Sequence, residues 1–186
     1  MTTEAYDRAL AITREHHATR KTFSGRYLSR YLDDIRPLIE QHGVKTILDY
    51  GCGKAEVWKQ GLAEELGVKV TLYDPGVAQY DADPVGTFDM VICTQALGSI
   101  PVDALPWVVA RLFGYARTIV YVGERLGPVR KKLHAEMVEE GVMPHGWTHE
   151  QWRELLTEHV PNARTADGWL RTNDRRTHES KLELFA

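Results

Sequence analysis

A short apolar run, Thr46-Ile47-Leu48-Asp49, breaks on Gly51-Cys52-Gly53 and resumes at once with helical spacing at Val57, Trp58, Leu62 and Leu66. Two glycines one residue apart let the backbone turn sharply between a buried strand and a helix. The alternation continues downstream. Val68, Val70 and Leu72 lead into Tyr73-Asp74-Pro75, where proline stops a second strand. Phe88 to Cys93 is almost wholly apolar, as expected of a strand covered on both faces. A helix over Leu105 to Tyr115 and a strand over Thr118 to Val122 follow. Strands alternating with helices predict an α/β fold, a Rossmann-like and mostly parallel sheet with helices on both faces. Only thirteen residues, Pro75 to Thr87, join the second strand to the third, so that crossover should be abbreviated.

The flanks read differently. Tyr6, Leu10, Thr13 and His17 recur at helical spacing, and after a break at Lys21 to Gly25 a second apolar face runs from Leu28 to Ile39. Pro37 should kink or restart that helix, and Gly43 suits its C-cap. Residues 1–43 are therefore expected to form a helical cap on a core of residues 44–186, within one domain. Near the other end, Thr148 and Gln151 have the spacing of a capping box, with Trp147 and Trp152 placed as a hydrophobic staple. That helix should run to about Val160. The tail from Ala163 to Ala186 is read as an antiparallel hairpin on the sheet edge.

Composition narrows the function. The 186 residues suffice for one well-buried core. No apolar run approaches the roughly 20 residues that cross a bilayer, and the opening Met1-Thr2-Thr3-Glu4 lacks the features of a secretory leader. The two cysteines, Cys52 and Cys93, lie in strand-like stretches and suggest a reducing compartment, so a cytoplasmic location is expected. A net charge of −3 gives no global attraction to nucleic acid. The basic patches around Arg125 and Arg171 read as solvated surface. A small-molecule partner is favoured, nucleic acid stays open as a partner, and oligomeric state is not encoded.

The strand-to-helix turn is the strongest site signal. Asp74 ends the next strand twenty-one residues after Gly53, where Rossmann-type folds use a carboxylate to accept from ribose hydroxyls. A dinucleotide site would need Gly-x-Gly-x-x-Gly, but the third position is Glu56, whose charge would face a pyrophosphate. Asp49 adds another negative charge before the first glycine. S-adenosylmethionine has no phosphate and carries a cationic amino-acid end. It fits these charges, with Asp49 serving the cationic end and loop N–H groups expected to take the carboxylate.

Leu48-Asp49-Tyr50-Gly51-Cys52-Gly53-Lys54, Tyr73-Asp74-Pro75-Gly76 and Phe88-Asp89-Met90-Val91-Ile92-Cys93-Thr94 resemble successive motifs of class I S-adenosylmethionine-dependent methyltransferases, closest to its short stand-alone members. Lys21 to Gly25 and Trp147 to Leu156 extend the resemblance over most of the chain. It implies that Asp49, Gly51, Cys52 and Gly53 cradle the methionine part, and that Asp74 with Pro75 holds the ribose. Asp81 or Asp83 would accept from the adenine amine, and Thr94 and Gln95 would line the floor beside the sulfonium. His17, on a helix that in this superfamily folds over the cofactor, and His145 with Trp147 are the residues expected near the acceptor.

Two positions depart from the pattern. Ala55 stands where many members have a third glycine, and Ala96-Leu97-Gly98-Ser99-Ile100 replaces a typical Val-Leu-Glu-His-Ile. The second departure leaves the catalytic residues unassigned. It keeps two alternatives to methyl transfer in view: non-methyl chemistry on the same cofactor, of cyclase or lyase type, and a catalytically inactive cofactor-binding partner. His145-Gly-Trp-Thr-His149 has a zinc-like spacing, but no cysteine or carboxylate cluster completes it, and no metal is expected.

Overall fold

The computed structural model describes residues 3–19, 23–125, 147–158, 167–173 and 180–185. Helix α1 spans Glu4–Thr19, and a 3-10 turn over Arg26–Arg30 leads into α2, Leu32–His42. Strand β1 is Thr46–Tyr50. Helix α3, Ala63–Leu66, follows a π-type turn over Trp58–Leu62. Strands β2 (Lys69–Tyr73) and β3 (Phe88–Thr94) precede α4 (Leu105–Tyr115), which hands over directly to β4 (Ala116–Arg125). Helix α5 is His149–Glu158, and the strands β5 and β6 are Asp167–Asn173 and Ser180–Phe185.

The sheet order is β2-β1-β3-β4-β5-β6. Strands β2, β1, β3 and β4 are mutually parallel, as the alternation of elements requires. The tail enters by two routes. Strand β5 pairs parallel with β4, so the parallel set extends one strand into the tail, and β6 runs antiparallel to β5. The β2-to-β3 crossover holds only turns, tied by Val77 N–H to the Asp74 carbonyl at 3.0 Å and Tyr80 N–H to the Val77 carbonyl at 2.7 Å.

Successive residues of the central strands go to opposite faces, the two-residue period of a pleated strand. Ile47, Met90, Ile92, Ile119 and Tyr121 pack with Ile35, Leu38 and Trp58 on the α2 and α3 side. Leu48, Val91, Cys93, Val120 and Val122 pack with Leu105, Val108, Leu112 and Trp152 on the α4 and α5 side, where Tyr6 of α1 joins them. Both layers are buried and apolar, because helices cover both faces.

Several helix boundaries follow their local chemistry. Helix α2 continues through Pro37 as one element and stops at Gly43, whose φ of 61° lets its N–H reach the carbonyls of Ile39 and Glu40. The helix after the glycine turn is less regular than its apolar spacing suggests, because Gly61 at φ 92° interrupts it. The capping box forms at α5: Thr148 N–H donates to Gln151 Oε1 at 2.9 Å, and Gln151 N–H donates to Thr148 Oγ1 at 3.3 Å. The Trp147 and Trp152 rings meet at 4.7 Å as the staple. Among the described residues no helix is long and apolar enough to cross a membrane.

Gly123 lets β4 pass close beneath the helical cap. A Cβ there would lie 2.8 Å from the Tyr31 ring, itself 1% exposed. Gly123→Ala should therefore force the tyrosine aside and destabilise the protein by about 1–3 kcal/mol. The midpoint of urea unfolding measures this, and an unchanged midpoint would mean that the cap yields freely.

Candidate functional site

The chain leaves β1 for β2 on one side and returns across β1 to β3 on the other. In open α/β sheets such a reversal leaves a crevice outside the carboxyl ends of the two diverging strands. Here Asp49 to Gly53 run off the end of β1 and Thr94 to Ala96 off the end of β3. Among the described residues the buried polar or charged side chains are His16, His17, Asp49, Asp74 and Glu124. Asp49, Asp74 and Glu124 lie at or just past the carboxyl ends of β1, β2 and β4, and the two histidines reach this edge from α1. Burying acids is costly unless they are paired or serve a ligand, so this concentration marks a candidate site.

Asp49 is 3% exposed. Its Oδ2 accepts the Trp58 indole N–H at 2.6 Å, while Oδ1 has no partner. Burial pushes its carboxyl up to about 7, with the indole hydrogen bond opposing and the nearby Asp74 charge adding to the rise. Asp74, one strand over, is bonded differently. Its Oδ2 accepts Gly53 N–H and its Oδ1 accepts Gly76 N–H, each at 2.8 Å. His17 Nε2 stands 4.0 Å from Oδ1. Burial raises the Asp74 carboxyl and lowers the His17 imidazole, so desolvation drives both toward neutrality against their mutual attraction.

The glycine turn does not offer its N–H groups as the sequence suggests. Gly51 and Cys52 donate to the Tyr73 carbonyl at 2.7 and 3.2 Å, and Gly53 to Asp74. Lys54 donates to the Phe23 carbonyl at 2.9 Å, Ala55 to Cys52 at 3.1 Å and Glu56 to the Ser24 carbonyl at 3.0 Å. The segment after α1 thus lies on the turn and takes two of its donors, those of Lys54 and Glu56. Close neighbours on two sides require the glycines. A Cβ on Gly53, at φ 57°, would run into the Phe23 carbonyl oxygen, and one on Gly51, at φ 82°, into the Ala96 Cβ. Ala55 holds a left-handed φ of 52°, a conformation that explains why glycine suits that position.

The other expected site residues divide. Cys52 is buried, and burial raises its thiol far above the usual range. The Pro75 carbonyl accepts Arg14 Nε–H at 3.0 Å, which ties α1 to the end of β2. Thr94 ends β3 half-buried, and Gln95 follows at φ 57°. Gln95 donates its N–H to the Gly123 carbonyl at 2.7 Å and its Nε2–H to Tyr31 Oη at 2.8 Å. His17 is buried against Phe23 at 4.9 Å between ring centres. Asp81 is exposed in the crossover, and its neighbour Asp83 is held by Arg111 at 2.7 Å. Trp147 packs against the core beside Trp152. His145 falls outside the described residues.

Four participants escaped the sequence. Trp58 reads as an ordinary helix-face residue, and nothing in its spacing announces an indole aimed at Asp49. The Phe23 and Ser24 carbonyls are backbone groups without a side-chain signature. Glu124 closes an apolar strand, where an acid looks solvent-facing, yet it is 3% exposed and its Oε1 accepts Leu97 N–H at 2.9 Å.

A reversing parallel sheet with buried acids gathered at its switch point defines a Rossmann-like α/β protein. A family profile described as a methyltransferase domain matches residues 16–121, and the chain belongs to that family of class I S-adenosylmethionine-dependent methyltransferases. No curated protein matches the chain. The matched stretch runs from α1 into β4 and takes in the glycine turn, Asp74 and Gln95, whereas Glu124 lies beyond it.

Proposed function

We propose that this methyltransferase binds S-adenosylmethionine at the β1–β3 crevice and methylates a small molecule. The observation that carries the reading is the unpartnered Oδ1 of Asp49, a buried carboxylate oxygen on the strand that precedes the glycine turn. A cationic nitrogen suits it, since a charge-assisted hydrogen bond would offset the desolvation that now holds the carboxyl near 7. Asp74 also fits. Each of its oxygens accepts one backbone N–H and keeps a lone pair for a ribose hydroxyl. The loop N–H groups do not fit the ligand's carboxylate, because all six from Gly51 to Glu56 are already bonded.

When bound, S-adenosylmethionine supplies a methyl group already activated by its sulfonium. The chain's own contribution is positioning and exclusion of water. Asp49 holds the ammonium, Asp74 and Pro75 flank the ribose, and Gly51, Cys52 and Gly53 shape the wall of the turn. Asp81 accepts from the adenine amine at the open side, while Thr94 and Gln95 form the floor. His17 and Phe23 close the edge from the cap, with residues 1–43 and 44–186 acting as one domain. Trp147 and His145 border the acceptor.

Calorimetric titration with S-adenosylhomocysteine should give a roughly micromolar dissociation constant, in the range usual for enzyme ligands. Incubation with S-adenosylmethionine and acceptor mixtures should then release S-adenosylhomocysteine. An absence of heat up to about 1 mM nucleoside would remove the reading, and methylthioadenosine as the product would redirect it to other chemistry.

A further inference from the structure

We propose that Trp58 is a positioning residue for the amino-acid end of the cofactor, its indole fixing the Asp49 carboxylate so that Oδ1 meets the ligand's ammonium. This rests on the cofactor assignment above and adds to it the group that aims the carboxylate. The indole Nε1–H donates to Asp49 Oδ2 at 2.6 Å, between side chains of residues 7% and 3% exposed. Swinging the carboxylate would break that bond, so Oδ1 is left as the oxygen without a partner among the described residues. An indole N–H donates and cannot accept. It therefore favours the ionised carboxylate, and here it opposes the rise that burial imposes on Asp49. The ring is itself held in place. Trp58 opens the π-type turn nine residues after Asp49, Lys59 N–H donates to the Ala55 carbonyl at 3.1 Å, and the indole belongs to the same buried layer as Ile47, Cys52 and Ala55. Trp152 makes the contrast. It is 2% exposed, its indole N–H has no partner among the described residues, and its ring serves the core alone.

Trp58→Phe keeps an aromatic ring and removes the donor. The probes are S-adenosylhomocysteine, which carries the amino-acid end, and methylthioadenosine, which lacks it. The variant should weaken S-adenosylhomocysteine about fivefold or more at pH 6.5 and about twofold or less at pH 8.5, because losing the donor moves the midpoint of binding up by about one pH unit. Methylthioadenosine affinity should change less than about twofold at both pH values. The other titratable groups that interact with Asp49 are Asp74, Cys52 and Cys93. All three are present in both proteins, and burial holds the two thiols far above their usual range. A ring that merely fills space would cost the same factor at both pH values or weaken both nucleosides alike. Either result overturns the proposal, as does unchanged binding. If Trp58→Phe does not fold, the wild-type protein decides. Its Trp58 indole N–H resonance should move through a midpoint near 7 as Asp49 ionises, and should move again when S-adenosylhomocysteine binds. A resonance unmoved by either overturns the proposal. A wild-type protein that binds neither nucleoside would defeat the cofactor assignment and this inference together, whereas wild-type binding with an unshifted profile in the variant would defeat this inference alone.

Discussion

Replacing Asp74 with alanine is expected to lower the unfolding free energy by about 3 kcal/mol and to abolish S-adenosylhomocysteine binding. Both effects come from the same two oxygens. In the free protein they accept the N–H groups of Gly53 and Gly76, each at 2.8 Å, in a site where the side chain is nearly sealed from water. Truncation strands both donors, and an unsatisfied buried N–H costs about 1–3 kcal/mol. Gly53 is also the residue against which Phe23 packs, so a loosened turn should release the segment after α1. The asparagine variant retains one acceptor oxygen and should fall between. Urea unfolding monitors the first effect, and calorimetry at a temperature where the variant stays folded monitors the second. A folded Asp74→Ala protein with wild-type affinity would show that the carboxylate holds the turn together and nothing else.

That dual role bears on what the sequence could reveal. The order of elements was legible because period-two apolar strands and period-3.6 helices are local properties, and each of Thr46–Tyr50, Phe88–Thr94 and Leu105–Tyr115 carries its own pattern. The short crossover was legible from chain length alone. Gly51, Gly53 and Asp74 were legible as positions, since a sharp turn and a strand-end carboxylate have fixed places in such a fold. Their partners were not. Whether the turn's N–H groups face a ligand or the Phe23 and Ser24 carbonyls depends on how a segment some thirty residues earlier folds back. Glu124 escaped for the same reason, because its burial is set by the β3 loop packed beside it, and no neighbour in sequence records that.

Asp49→Asn should make the free protein more stable and the binding weaker, a pair of effects that a purely structural residue would not produce. In the unfolded chain this carboxyl ionises near its ordinary 3.8, and in the fold near 7. Between those values the folded chain keeps a proton that the unfolded chain has released. Stability therefore falls as pH rises across this window, on the order of 1.4 kcal/mol per unit. Asp74, also raised, acts in the same sense, whereas His17, lowered, adds stability that is lost on acidification. Comparing wild type with Asp49→Asn isolates the Asp49 contribution. The asparagine oxygen can still accept the Trp58 indole N–H, now without a buried charge. At pH 8 the variant should gain about 2 kcal/mol or more in urea unfolding and lose the fall between pH 4 and 7 that belongs to Asp49. Its S-adenosylhomocysteine affinity should drop by about tenfold or more, because an amide cannot neutralise an ammonium. In the wild-type protein that affinity should climb as pH passes through 7 and the carboxyl ionises. A variant destabilised at pH 8, with the wild-type pH profile of affinity, would place the charge of Asp49 in the fold's service and not the ligand's.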